Sequence, residues 1–156
     1  GNQMAADSIR IFLKGKSIDK IYLVANSFVI SEDTLKNYNQ IKGRKMIANF
    51  EGKTISHVNV LGNGESLYYM LQEPEKKAES DSTKVGEPII LVGMNKIICS
   101  NMKINFTEGE VNNISFYIKP DASFIPPHEL KAEDKRLKGF KWRSKEKPTK
   151  EDVVKN

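Results

Sequence analysis

Apolar and polar residues alternate with a period of two in three stretches of this chain, and each stretch reads as arm, turn, arm. The first runs Ile9, Ile11, Leu13, then Gly15-Lys16, then Ile18, Ile21, Leu23. The second runs Met46, Ala48, Phe50, then Gly52-Lys53, then Ile55, Val58, Val60. The third runs Met102, Ile104, Phe106, then a polar turn with Gly109, then Val111, Ile114, Phe116. A period of two is the signature of a strand with one buried face, and glycine between two such arms supplies a turn. The copies are offset by 37 residues (50 − 13) and by 56 (106 − 50). A strand-turn-strand unit written three times predicts a fold built by stacking, and stacked β units bind along their length.

In each second arm the apolar spacing is three and then two, as in Ile55, Val58, Val60. That break in parity predicts a bulge or wide turn near residues 56–57. The similarity of the second and third copies extends beyond the hairpin. Asn39-Gln40-Ile41 matches Asn95-Lys96-Ile97, and Tyr68 matches Phe124, all 56 residues apart. The longer unit calls for one extra strand before each hairpin, with Ser27–Ser31 and Ile89–Gly93 as candidates.

Residues 72–88 are polar, lack aromatics and read as a long flexible loop within one domain, because the repeat continues beyond them. After Pro126-Pro127 the alternation stops. The expected division is a β domain over residues 1–127 and a charged extension over 128–156. Glu129, Ala132, Glu133, Lys135, Leu137 and Lys138 favour a short helix within 128–140, with disorder expected over 144–156. Leu130, Leu137, Phe140 and Trp142 are the large apolar anchors of the extension.

The net charge of +5 first suggests a nucleic-acid binder, but its placement argues against one. Residues 129–156 hold ten Lys/Arg and six Asp/Glu, while residues 1–128 hold fifteen and fourteen. The β body is near neutral, whereas nucleic-acid binders concentrate charge on a folded face or recognition helix. Nucleic acid is not an expected partner.

Catalytic constellations are not visible. His57 and His128 have no Cys or carboxylate at metal-ligand spacing. Cys99 lies in an apolar run and reads as a buried small hydrophobe. Glu32-Asp33 sits in a polar turn and reads as a solvated loop. Asn105-Phe106-Thr107 and Asn113-Ile114-Ser115 fit the glycosylation sequon, but both fall in predicted strands. The chain is therefore expected to be non-enzymatic, with no metal and no cofactor. No run has the length of a transmembrane helix. Gly1 stands where an initiator Met would be, so the chain is expected to be a mature or internal piece whose export signal has been removed.

Tyr38-Asn39-Gln40-Ile41-Lys42-Gly43-Arg44-Lys45-Met46, followed by Val60-Leu61-Gly62-Asn63-Gly64-Glu65-Ser66-Leu67-Tyr68-Tyr69, resembles the OstA-like proteins of Bacteroidetes. Gly93-Met94-Asn95-Lys96, Cys99-Ser100-Asn101-Met102 and Leu137-Lys138-Gly139-Phe140-Lys141-Trp142-Arg143 resemble the same group, which belongs to the OstA/LptA superfamily of lipopolysaccharide-transport proteins. The resemblance covers roughly residues 20–152. It implies an all-β, antiparallel β-jellyroll or β-taco in the periplasm, a slit tube that shields the acyl chains of lipopolysaccharide (lipid A). It also implies other modules of the same type joined edge to edge, with a possible head-to-tail oligomer.

The candidate lining comprises Met46, Ala48, Phe50, Val58, Val60, Met102, Ile104, Phe106, Ile114 and Phe116. These residues could line an open slot or close into a solid core. The rival readings are a closed β scaffold that docks partners without lipid, and a carbohydrate-binding jellyroll using Tyr68, Tyr69 and Tyr117 as its aromatic platform.

Overall fold

The structure is a computed structural model describing residues 2–72, 88–107 and 110–146. Most of the expected loop 72–88, the turn at Gly109 and residues 147–156 lie outside the described residues. The alternating arms form eight strands: β1 (Asn2–Ala5), β2 (Ser8–Lys14), β3 (Ser17–Glu32), β4 (Tyr38–Glu51), β5 (Thr54–Gln72), β6 (Ile90–Thr107), β7 (Glu110–Tyr117) and β8 (Asp121–Ile125). All pairings are antiparallel and belong to one open sheet. β1 and β2 lie end to end along β3, then follow β4, β5 and β6, and β7 and β8 lie end to end along β6. The fold is all-β, as the alternation predicts, and is consistent with a jellyroll- or taco-like sheet.

The repeat holds at the level of register. Ile9 opposes Leu23, Met46 opposes Val60, and Met102 opposes Phe116, each pair displaced by the sequence offsets of 37 and 56. The same offsets carry Met4 opposite Val29 into Ile41 opposite Ser66 and then into Ile97 opposite Ala122. The parity break is also real. The register shifts between Asn49 and Phe50, which oppose His57 and Ile55, leaving Ser56 as the extra residue of a bulge.

The candidate extra strands are not separate. Ser27–Ser31 is the far half of β3, and Ile90–Gly93 opens β6. The cause is a second irregularity, which bends β3 and β5 without ending them and separates β7 from β8. Two successive residues take positive φ in each copy: Ala25-Asn26 (59° and 50°), Gly62-Asn63 (76° and 53°) and Ile118-Lys119 (61° and 52°). This left-handed pair lets the ladder resume on its far side, so the sheet creases across its middle. Hydrogen bonds stitch the crease: the Asp7 amide donates to the Ala25 carbonyl at 3.0 Å, and the Gly62 amide donates to Asn101 Oδ1 at 2.9 Å. The buried Ser27 hydroxyl donates to the Leu23 carbonyl at 2.8 Å.

A β-branched residue pays an unusual conformational cost at positive φ, and exposed Ile118 gains little packing in return. Ile118→Gly, which installs the residue that the second copy carries at Gly62, is expected to raise stability by about 0.5–1 kcal/mol. That figure is the left-handed penalty less the extra unfolded-state entropy of glycine. A higher urea midpoint with an unchanged slope is the readout.

The crease gives the sheet two apolar layers. Inside it, Leu23, Met46, Ala48, Val58, Val60, Cys99, Met102 and Ile104 form one buried cluster, on which Val29 and Ile41 of the far halves pack. On the opposite face of the far halves, Phe28, Ile30, Leu67, Tyr69 and Met94 form a second cluster with Leu137. Leu130, Phe140 and Trp142 pack on it. The C-terminal extension is thus a strap across the outer face of the sheet.

The short helix expected within 128–140 does not form, and the disorder expected from 144 does not begin there; single 3-10 turns occur at Pro127–Glu129 and Ser144–Glu146, the latter closed by the Glu146 amide donating to the Arg143 carbonyl at 3.0 Å. The hydrogen bonds that a helix would need go elsewhere. Gln40 Nε2 donates to the Lys135 carbonyl at 2.7 Å, and the Leu137 amide donates to Gln40 Oε1 at 2.8 Å. Gln3 does the same one repeat earlier, donating to the Lys141 carbonyl at 2.7 Å and accepting from the Arg143 amide at 2.8 Å. Gln3 and Gln40 are 37 residues apart, so one repeat position clamps the strap twice.

Candidate functional site: the apolar inner face

Strand alternation and the shared register bring all ten candidate lining residues to the inner face. They do not have one character there. Met46, Ala48, Val58, Val60, Met102 and Ile104 are buried in close contact at the centre. Phe50, Phe106, Ile114 and Phe116 are only partly buried and flank that centre. Phe50 and Phe106 stand at the hairpin end of the sheet.

The ten candidate positions omit the first copy, whose first arm is the most open part of this face. Ile9, Ile11 and Leu13 of β2 share the inner face with Leu23 and Ile21 through their register, and are 46%, 58% and 68% exposed. They were legible as the first written hairpin, where Leu13 occupies the position of Phe50 and Phe106. No described strand pairs with the outer edge of β2 or of β7. The inner face is therefore an apolar layer that is closed in the middle and open along one strand edge.

Cys99 is buried at the inner side of the crease, and burial pushes its thiol up. That disfavours the reactive thiolate. His57 lies on β5 beside the Ser56 hydroxyl, with 3.3 Å between Oγ and Nδ1. Among the described residues, no group of three or more His, Cys, Asp or Glu side chains is placed to hold a metal ion. Asp33 is more than a solvated loop residue. Its Oδ1 accepts from the amides of Leu35 and Asn37 at 2.9 and 2.8 Å, which closes the turn between β3 and β4.

The three tyrosines do not form one platform. Tyr68 and Tyr69 are successive strand residues and point to opposite faces. Tyr69 is buried in the cluster that the strap covers, while Tyr117 ends β7. Burial holds the Tyr69 phenol above its ordinary value; the Asp33 carboxylate adds to the shift and Arg136 opposes it. No helix among the described residues is long and apolar enough to cross a membrane. No protein-family model, no curated protein and no solved structure matches this chain.

Proposed function

We propose that the protein is a non-enzymatic periplasmic module of lipopolysaccharide transport, of the OstA/LptA type, that shields acyl chains on the open part of its inner face. The observation that carries this reading is the exposed row Ile9, Ile11 and Leu13, continuous with the buried inner layer and lying on an unpaired strand edge. An acyl chain laid along that row would remove both its own surface and the side chains' surface from water. Each buried methylene contributes about 0.8 kcal/mol. The unpaired edges of β2 and β7 suit a neighbouring module, because an edge strand is a template for strand addition.

Purified protein is expected to capture lipopolysaccharide saturably. Ile11→Asp with Leu13→Asp is expected to weaken capture at least tenfold while leaving the melting temperature nearly unchanged, since both side chains are exposed. Equal capture by the double variant counts against the proposal. One observation favours a second reading, a scaffold that assembles through its edges without lipid: the centre of the inner face is fully packed at Met46, Val60 and Ile104. That reading expects no capture, with concentration-dependent growth in light scattering.

A further inference from the structure

The strap does more than cover the outer face. Beside its turn at Gly139, where φ is 99°, a cavity of about 210 Å³ lies between the strap and the sheet. Ala5 and the edge of Phe28 contribute apolar surface to it, next to the buried Ile30. Its cations are Lys42 from β4 and Lys138, Lys141 and Arg143 from the strap, and no carboxylate lines it. Lys42 is paired with Glu65 at 3.2 Å, and Arg143 reaches Glu146 at 3.8 Å. Lys138 and Lys141 have no carboxylate partner among the described residues. The positive charge that the sequence concentrates in the extension is thus delivered to the rim of a cavity of mixed polar and apolar lining.

Lys138, Lys141 and Arg143 are exposed at the cavity's rim, and like charges gathered at one site repel. A bound anion would relieve it, and charge-assisted hydrogen bonds to lysine and arginine would hold the anion in place. The volume lies below the ~300–1,000 Å³ of drug-sized pockets, which suits a head group and a short stem. We propose that this cavity binds an organic anion, a phosphate or carboxylate carried on an apolar stem. The site lies on the outer face of the sheet and does not rest on the acyl-chain reading of the inner face.

The test is calorimetric titration of the whole chain with octyl phosphate below its micellar concentration, with inorganic phosphate and uncharged octyl glucoside as controls. Octyl phosphate is expected to bind with one-to-one stoichiometry and to raise the melting temperature, because a ligand of the folded state stabilises it. Each control is expected to bind at least tenfold more weakly. Lys138→Gln with Lys141→Gln is expected to weaken octyl phosphate at least tenfold without lowering the ligand-free melting temperature. Ile11→Asp, on the inner face, is expected to leave binding unchanged.

No saturable binding of octyl phosphate, full binding by the lysine double variant, equal binding of octyl glucoside, or loss of binding in Ile11→Asp would each overturn the proposal. Co-sedimentation with phosphatidylcholine vesicles, with and without phosphatidate, identifies the source of the anion. Retention by phosphatidate alone assigns a lipid head group, and octyl phosphate binding without vesicle retention assigns a free ligand.

Discussion

Removing residues 130–156 is expected to lower the melting temperature by roughly 10 °C or more, since a domain of this size loses about 2–4 °C per kcal/mol. The strap's apolar anchors cover Phe28, Ile30, Leu67, Tyr69 and Met94, and Leu137 is only 5% exposed among them. Leu137→Ala alone is expected to cost about 2–4 kcal/mol, the lost transfer energy plus the cavity left behind. Gln40→Ala reaches the same contact from the sheet side. It strips the hydrogen-bond partners from the Lys135 carbonyl and the Leu137 amide, at about 1–3 kcal/mol for a buried group left unsatisfied. Scanning calorimetry of the three variants measures these effects. A truncated chain that melts with the full one would show that the strap contributes nothing to the fold.

Met46→Ala is expected to destabilise the protein by about 2–5 kcal/mol, as large-to-small changes do in a packed interior. Met46 is fully buried between the β3 and β5 neighbours of its strand, opposite Leu23 and Val60. The size of the effect separates two pictures of the inner face. A packed centre pays the full cost in the denaturant midpoint. A slot held open for ligand would lose little on removal of one lining side chain and could even gain room. The same substitution at Phe50 would be expected to cost less, because Phe50 is only partly buried at the hairpin end.

Much of this arrangement was legible in the sequence. Strand periodicity is a local property, so the hairpins, the Ser56 bulge and the repeat offsets could be read directly. The inner face followed too, since one register places Met46, Val60, Met102 and Phe116 on it. The crease was not legible. Ala25-Asn26 and Ile118-Lys119 carry no glycine to advertise positive φ, and only Gly62-Asn63 hints at it. Without the crease, Ser27–Ser31 looked like a separate strand, and the far half-sheet had no second face to cover. The strap was missed for a related reason. Its composition favours a helix, but Gln3 and Gln40 take its backbone groups through bonds spanning more than ninety residues. A local propensity cannot foresee such a tertiary override. The open edge was underread because β2 repeats the pattern of strands that are buried elsewhere, and exposure depends on having a neighbour.

The proposed function puts acyl chains on the inner face of the sheet alone, and neighbouring residues of β2 offer the sharpest test. Ile11 and Phe12 are both exposed, at 58% and 44%, but they point to opposite faces, Ile11 inward and Phe12 outward against the Tyr22 ring at 4.9 Å. A photo-crosslinking side chain placed at Ile11, and separately at Phe12, should be irradiated in the presence of lipopolysaccharide. Adducts are expected at Ile11, also at Phe106, and few or none at Phe12. Equal yields at Ile11 and Phe12, or no adduct at any inner position, would contradict the proposed function.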